Sequence, residues 1–213
     1  MARGEARKLD EVVARIRACR FCVETPEGAP LPHEPRPVLR VSSSARLLIA
    51  SQAPGNLVNQ TGLPFNDPSG NRLREWMGVD RETFYNVSRI AIAPMGFCFP
   101  GNDAAGGDLP PRRECRARWH DELFAALPQI ETVLAIGRYA QDYHFARLGH
   151  ALPRGQGVSQ IVARWRDFQN ARPLIFPLPH PSWRNTGWLK RNPWFEAEVL
   201  PVLRKEVALL VKT

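Results

Sequence analysis

The chain has 213 residues, 44% of them hydrophobic, and a formal net charge of +8 at pH 7. Its length and apolar content favour a single domain, residues 1–213, with one core. No segment reaches the 18 or more apolar residues of a membrane span, and residues 1–8 do not lead into the apolar core of a signal peptide, so we expect a cytoplasmic protein with no membrane partner. The positive charge favours polyanionic partners, above all nucleic acid.

Helix-like and strand-like segments alternate along the chain. Apolar residues at helical spacing between residues 9 and 16 predict a first helix that ends near Cys19, and residues 25–37 predict an extended crossing. Four short apolar runs suit buried parallel strands, at residues 45–51, 89–95, 132–138 and 173–179. Helices are predicted at residues 69–77, 112–127, 139–148, 159–168 and 194–211. This order predicts an α/β fold in which helices cover both faces of a parallel sheet.

In such sheets, ligands bind beyond the carboxyl ends of the strands, so the loops after the strands are the first candidates for a site. The first run leads into SQAPGNLVNQTGLPFNDPSGNRLREW, which we expect to be irregular from residue 51 to the helix at residue 69. Long loops in compact domains are usually functional. Gln52 can donate and accept hydrogen bonds, Phe65 offers a flat apolar face and Asp67 a carboxylate. A helix N-cap is an equally good interpretation of Asp67, and a lone phenylalanine is more often part of a core.

The fourth run ends in PLPHPSWRN at residues 177–185. Prolines on both sides of His180 restrict its backbone and fix where its ring lies, while Ser182 can cap the helix or turn that follows. A lone histidine is more often an ordinary surface residue. Its place at a strand end, and the cationic and aromatic residues that follow it, favour a functional interpretation. Those residues suit phosphate contacts and base stacking: Trp183, Arg184, Asn185, Trp188, Lys190 and Arg191.

The cysteines form the most specific pattern in the chain. Cys19 and Cys22 form a C-x2-C pair, Cys98 follows the second strand, and Cys115 comes after a gap of 16 residues. Disulfides are disfavoured in a reducing compartment, whereas four thiolates satisfy either tetrahedral zinc or a [4Fe-4S] cluster. The spacing leaves both open, and four unrelated thiols are the plain alternative. A zinc-stabilised nucleic-acid-binding module would also account for the cysteines and the charge.

In this order, the motifs resemble the uracil-DNA glycosylase superfamily, and specifically its iron-sulfur branch. SQAPG at residues 51–55 matches a G-x-x-P-G motif except at Ser51, TGLPF at residues 61–65 matches T-G-x-P-F, and residues 180–182 match H-P-S. The four cysteines match the cluster ligands of that branch. The resemblance extends from about residue 9 to residue 200 and implies a three-layer α/β/α fold with a four-stranded parallel sheet.

The resemblance also implies an activity. The enzyme would flip deoxyuridine out of DNA, hydrolyse its N-glycosidic bond, release uracil and leave an abasic site. Phe65 would stack on the flipped uracil, and the backbone around Gln52 and Ala53 would hold it. His180 would donate a hydrogen bond to the uracil carbonyl as negative charge builds there. The loop from Ser182 to Asn185, with Lys190 and Arg191 behind it, would contact and enter the DNA. We expect uracil-containing DNA as the partner and a monomeric protein.

Two positions depart from the family pattern. Gln52 stands where the branch often has an acid, and glutamine cannot be a general base, so we assign Asp67 to polarise water or to stabilise the cationic sugar. Pro94 stands where many members have an asparagine that reads uracil, so other amides, such as Asn59 and Gln52, are candidates for that task. The alternative is a uracil-DNA-binding member with weak, altered or covalently trapping activity.

Overall fold

Four strands form one parallel sheet in the computed structural model, which describes residues 2–153, 155–170 and 172–212 apart from the side chains of residues 2, 3 and 5. The strand order is β2-β1-β3-β4. The strands are β1 (Leu47–Ala50), β2 (Ile90–Ile92), β3 (Thr132–Ile136) and β4 (Leu174–Leu178). Each of the four predicted apolar runs contains one of them. The predicted parallel sheet is therefore confirmed, with strands shorter than the runs.

The strand residues alternate between two apolar layers. Leu48 and Ala50 face one layer, built with the helices before β1 and around β3, while Leu47 and Ile49 face the other, built largely with the C-terminal helix. Every residue of the four strands is buried. Continuous burial is typical of parallel strands covered on both faces, and it explains why their sequences are apolar runs without alternation. The structure thus has the three-layer α/β/α architecture.

Ten α-helices surround the sheet in the part of the chain that the structure describes. They are α1 (Ala2–Arg17), α2 (Phe21–Glu24), α3 (Asn56–Thr61), α4 (Pro68–Met77), α5 (Arg81–Tyr85), α6 (Arg113–Ala125), α7 (Gly137–Arg147), α8 (Val158–Ala163), α9 (Thr186–Arg191) and α10 (Leu200–Val211). Short 3-10 segments lie at Trp165–Phe168 and Trp183–Asn185, and a π-helical turn at Phe195–Val199 precedes α10. None of the helices among the described residues has both the length and the apolarity of a membrane span.

The prediction of an irregular chain from residue 51 to residue 69 was wrong, because α3 lies within it. This helix begins after Gly55 and ends at Gly62, whose φ of 71° lies in the left-handed region that favours glycine. Val58 is its single buried residue, so the segment has no apolar periodicity. The helices α2, α5 and α9 are also short and were not predicted. The helix predicted at residues 159–168 is divided into α8 and a 3-10 turn.

Candidate active site

A pocket of about 520 Å³ lies at the carboxyl edge of the sheet. It is formed by the loops after β1, β2 and β4, and by the loop between Cys98 and Cys115. Its volume is within the range of small-molecule sites. Eight of the residues predicted to act on the substrate or DNA line it: Gln52, Ala53, Phe65, Asp67, His180, Ser182, Trp183 and Arg184. The chain therefore brings together motifs that are more than a hundred residues apart in sequence.

The other four predicted residues lie outside this lining. Asn59 lies on α3, and its Oδ1 is buried without a hydrogen-bond partner in the described part of the chain. Lys190 and Arg191 are exposed on α9. Asn185 lies behind His180, where its Nδ2 donates a 2.7 Å hydrogen bond to the His180 carbonyl oxygen. Asn185 therefore supports the histidine instead of lining the pocket.

Hydrogen bonding fixes which nitrogen of His180 carries the proton. The backbone N–H of Ser182 donates to Nδ1 at 3.2 Å, so Nδ1 is the acceptor and the neutral ring carries its proton on Nε2. Burial lowers the pKa of His180 from its usual value near 6.5, and the negative charges of Asp67 and Asp108 offset part of this shift. At neutral pH the site therefore presents an uncharged imidazole with one N–H donor.

Ser182 acts through its backbone and not through its hydroxyl. The prediction that Ser182 caps the following turn was wrong, because its side chain makes no cap hydrogen bond. Its carbonyl oxygen instead accepts a 2.9 Å hydrogen bond from Nη1 of Arg72, on α4, whose Nη2 also reaches the Thr186 hydroxyl at 3.3 Å. The sequence did not predict this role of Arg72. A single arginine in a helix gives no sign that it contacts a residue 110 positions later in the chain.

Asp67 is the N-cap of α4. Its Oδ1 accepts a 2.8 Å hydrogen bond from the backbone N–H of Gly70, as the N-cap interpretation predicts. The same side chain lines the pocket. Asp67 can therefore cap α4 and line the pocket at the same time, and the cap hydrogen bond fixes the direction of its carboxylate.

Phe65 has a left-handed backbone conformation, with a φ of 56°, which is unusual for a residue with a side chain. Its carbonyl oxygen lies so close to Gly70 that a Cβ there would be 1.8 Å from it. Nη1 of the buried Arg74 donates to the same oxygen at 3.3 Å. The ring of Phe65 is 8% exposed and packs edge-on against Phe84, with 6.0 Å between ring centroids. A rigid aromatic wall results.

The loops after β1 and β2 are joined by backbone hydrogen bonds. The N–H of Met95 donates to the Ser51 carbonyl at 2.8 Å, and that of Gly96 to the Gln52 carbonyl at 2.9 Å. Pro94 lines the pocket beside them, and its carbonyl oxygen faces Nε2 of the buried His120 at 3.0 Å. These bonds fix the backbone of the pocket at Gln52 and Pro94.

The tryptophans after His180 have different environments. Trp183 is 73% exposed and lines the pocket at its rim. The guanidinium of Arg184 lies 5.9 Å from the centre of its ring. Trp188 instead packs against Trp194 and donates a 2.6 Å hydrogen bond from Nε1 to the Ser159 hydroxyl. Trp183 is thus the aromatic side chain of this loop that is available to a partner.

Asp108 is a pocket residue that sequence reasoning missed. It belongs to an exposed loop with three glycines between Cys98 and Cys115, where an acid is easily taken for a surface residue. The signal that could have found it is the position of this loop: it follows β2, at the same sheet edge as the other site loops.

The four cysteines line a second cavity, of about 20 Å³, together with apolar residues that include Ile16 and Trp119. Burial raises the pKa of the Cys98 thiol to about 12 and the pKa of Cys115 still further. Among the described residues, no group of three or more histidine, cysteine or acidic side chains has the arrangement of a metal-ion site. All four cysteines nevertheless line this one cavity.

Two of these sulfurs accept hydrogen bonds from N–H groups. Nε1 of Trp119 lies 3.4 Å from Sγ of Cys19, and the backbone N–H of Phe97 lies 3.4 Å from Sγ of Cys115. N–H donors stabilise thiolates, which are the form of cysteine that binds metals and clusters. The donor set therefore fits a cysteine-bound group.

A family model described as the uracil DNA glycosylase superfamily matches residues 40–204. This range contains all four strands and every residue of the pocket lining except Val38. It begins after Cys19 and Cys22, so it includes two of the four cysteines.

Proposed function

The chain belongs to the uracil DNA glycosylase superfamily, whose model matches most of its length, and from this premise we propose that it excises uracil from DNA. The reaction is hydrolysis of the bond between N1 of uracil and C1′ of deoxyribose, and it leaves an abasic site. A base within a duplex is inaccessible to an enzyme, so the nucleotide must first leave the stack and enter the pocket.

The neutral His180 is the observation that carries the proposal. As the glycosidic bond breaks, negative charge moves onto the base and its carbonyl oxygen. A fixed N–H donor at that oxygen stabilises the transition state more than the ground state, and one such donor contributes about 3 kcal/mol. The bond from Ser182 to Nδ1 supports this role for Nε2, because it fixes both the tautomer and the ring orientation.

The first loop supplies the other groups for the base and sugar. Phe65 stacks on the flipped uracil, and the backbone at Gln52 and Ala53 holds its edge. Pro94 offers no side-chain amide, so the Gln52 amide, which lines the pocket, is the donor and acceptor that reads uracil. Asp67, fixed by its N-cap bond, places a negative charge that stabilises the cationic sugar.

The loop after β4 contacts the DNA around the extruded base. Trp183, at the pocket rim, is the residue that enters the stack and takes the place of the base, and Ser182 and Arg184 contact the adjacent backbone. Lys190 and Arg191, exposed on the following helix, bind phosphates further along the strand. Asn185 maintains the loop through the His180 carbonyl.

We further propose that Cys19, Cys22, Cys98 and Cys115 hold a [4Fe-4S] cluster. The support is that all four cysteines line one cavity and that four cysteine thiolates are the ligand set of such a cluster. Its task is structural: it joins the α1–α2 corner to the loop after β2. A brown protein that absorbs near roughly 400 nm would support the cluster. A colourless protein with one zinc per chain would contradict it.

A labelled oligonucleotide with one uracil tests the activity. After incubation with the protein, alkali cleaves the strand wherever the base has been removed. Cleavage of single-stranded, U:G or U:A substrates is the expected result, and absence of cleavage on all three would overturn the proposal. The alternative, a uracil-DNA-binding protein with weak, altered or trapping activity, is favoured by the lack of an acid at Gln52. It would give binding without base release, or an adduct that survives a denaturing gel.

A further inference from the structure

The loop between the third and fourth cysteines brings a second carboxylate into the active-site pocket. Asp108 lines this pocket together with Asp67 and His180. Its Oδ2 would be 3.4 Å from a Cβ placed on Gly55, so the carboxylate lies against the loop that follows β1. Its Oδ1 accepts a 3.2 Å hydrogen bond from Nδ2 of Asn102. Asp108 thus completes the wall of the pocket on the side of its own loop.

The loop's own hydrogen bonds set the position of Asp108. Residues 102 and 108 form an antiparallel bridge, and the N–H of Leu109 donates to the Gly101 carbonyl at 2.9 Å. At the tip, Oδ1 of Asp103 accepts from the N–H groups of Ala105 and Gly107 at 2.9 and 2.8 Å. This is a closed hairpin and not a loose segment, so its last residues are held at the pocket.

The negative charge of a carboxylate at this place is opposite in sign to the net charge of the protein. The chain carries a net charge of +8, and the proposed substrate is a polyanion whose phosphates repel an acid at the binding site. Such a cost is offset where the acid acts on water or on positive charge that develops in the reaction. Two carboxylates beside one uncharged histidine suit such a reaction, because one can stabilise the cationic sugar while the other acts on the attacking water.

The two carboxylates differ in their surroundings. One oxygen of Asp67 is engaged by the backbone N–H at the start of α4, which fixes the group. Asp108 is exposed, so water reaches it from the open side of the pocket, and its Oδ1 accepts a hydrogen bond from the exposed amide of Asn102. The fixed carboxylate of Asp67 is therefore suited to stabilise positive charge at one place. The accessible carboxylate of Asp108 is suited to bind a water molecule that exchanges with solvent.

We propose that Asp108 is the general base of the reaction, an assignment that rests on the proposed function. It orients one water molecule and takes its proton as the water oxygen forms a bond to C1′ of the deoxyribose. The C1′–N1 bond breaks, and its electron pair leaves with uracil, where His180 stabilises the charge. Asp108 then returns the proton to the uracil anion or to solvent. Asp67 stabilises the cationic sugar while water replaces uracil at C1′.

Single-turnover excision by Asp108→Asn tests the proposal. Removal of a general base lowers a rate by about 100-fold or more, so we expect a loss of that size with binding of uracil-DNA retained. Formate should restore part of the rate to Asp108→Ala, since it supplies a carboxylate in solution, but not to His180→Ala. An Asp108→Asn rate within threefold of wild type, or no response of Asp108→Ala to formate, would overturn the assignment.

Asp103→Asn is the matched control, because it removes a carboxylate charge from the same loop outside the pocket lining, while the asparagine Oδ1 still accepts from the N–H groups of Ala105 and Gly107 and keeps the hairpin closed. Its rate should equal that of wild type. An equal loss in both variants would show that the charge or fold of the loop matters and not Asp108. If the wild-type protein excises nothing, the proposed function fails by itself. NMR titration of His180 then tests Asp108 directly: its imidazole pKa should fall in Asp108→Asn, and an unchanged value would contradict the placement.

Discussion

The carbonyl oxygen of Phe65 occupies the space that a side chain on Gly70 would need. A Cβ at residue 70 would lie 1.8 Å from that oxygen, a distance that real Cβ atoms do not show. The contact joins the strained residue of the first loop to the first turn of α4, where the N–H of Gly70 donates to the capping carboxylate of Asp67. One glycine therefore constrains the positions of both the Phe65 backbone and the Asp67 carboxylate.

Gly70→Ala should disturb both groups. The backbone at Phe65 must move to admit the methyl group, and such overpacking costs about 1 to 3 kcal/mol. We expect a lower free energy of unfolding in urea and a single-turnover excision rate reduced at least tenfold. Gly28→Ala is the control, because no atom lies within 4 Å of a Cβ there. Equal stability and rate in Gly70→Ala and wild type would refute the constraint.

His180→Ala should reduce the single-turnover rate by about two orders of magnitude, the loss expected when one donor to a developing oxyanion is removed. Asn185→Ala should cost less, since it removes only the 2.7 Å bond to the His180 carbonyl. Circular dichroism checks that both variants fold. A His180→Ala enzyme at the wild-type rate would exclude the histidine from the reaction.

The pH dependence of excision follows from the lowered pKa of His180. The neutral ring is the form that accepts from Ser182 at Nδ1, and protonation of that nitrogen removes the bond. Because burial lowers this pKa, the neutral form persists below pH 6.5. Excision measured from pH 5 to 8 should therefore retain its His180-dependent contribution at pH 6.5 and lose it only in more acid solution. A loss centred above pH 6.5 would contradict the neutral donor.

Trp183→Ala should affect duplex substrates more than single strands. An exposed ring at the pocket rim matters when it fills the space that a base leaves in a stack, and a single strand has no partner stack to fill. We expect a larger fall in excision on U:A duplex than on the same strand alone. Trp188→Ala is the matched control, and it should lower stability instead, because that ring packs against its neighbours in the protein. Equal losses on both substrates would remove Trp183 from base extrusion.

Two buried histidines should make the protein sensitive to acid. Burial lowers the pKa of His120 to about 4 and that of His144 well below 6.5. Below pH 6.5 the unfolded chain binds protons that the folded chain does not, so stability falls as pH decreases, by up to about 1.4 kcal/mol per pH unit for each histidine. Urea midpoints at pH 7.5 and 5 measure this. Both ring nitrogens of His144 lack hydrogen-bond partners among the described residues, so His144→Phe should reduce the acid loss. An unchanged difference between the two pH values would contradict this origin.

Loss of one cysteine should also disturb the active site. Cys98 and Cys115 bound the loop that carries Asp108, so we expect Cys115→Ser to lose the absorbance of the proposed cluster and most of its excision rate together. The comparison is Ser43→Ala, a change in an exposed turn that does not line the cysteine cavity. A Cys115→Ser protein without cluster absorbance but with full excision would show that the loop holds its position alone.

Much of the architecture could be predicted from the sequence because buried parallel strands require apolar runs, and all four were present. The order of motifs also placed the first loop and His180 at one sheet edge. Asp108 and Arg72 could not be predicted in the same way. The position of Asp108 depends on the path of a glycine-rich loop, and that of Arg72 on a contact between α4 and residue 182. Neither feature leaves a periodic pattern in the sequence. The short helix α3 was missed for the same reason, since one buried residue gives no period.

Helix α4 touches both halves of the site: its N-cap is Asp67, its Gly70 and Arg74 meet Phe65, and its Arg72 holds the Ser182 carbonyl. The spacing between the stacking ring and the histidine loop is therefore set by one helix of ten residues. One helix thus joins the two halves of the site. Under the proposed function, we expect the ease with which a given uracil unstacks to rank the substrates: single strands first, then U:G, then U:A.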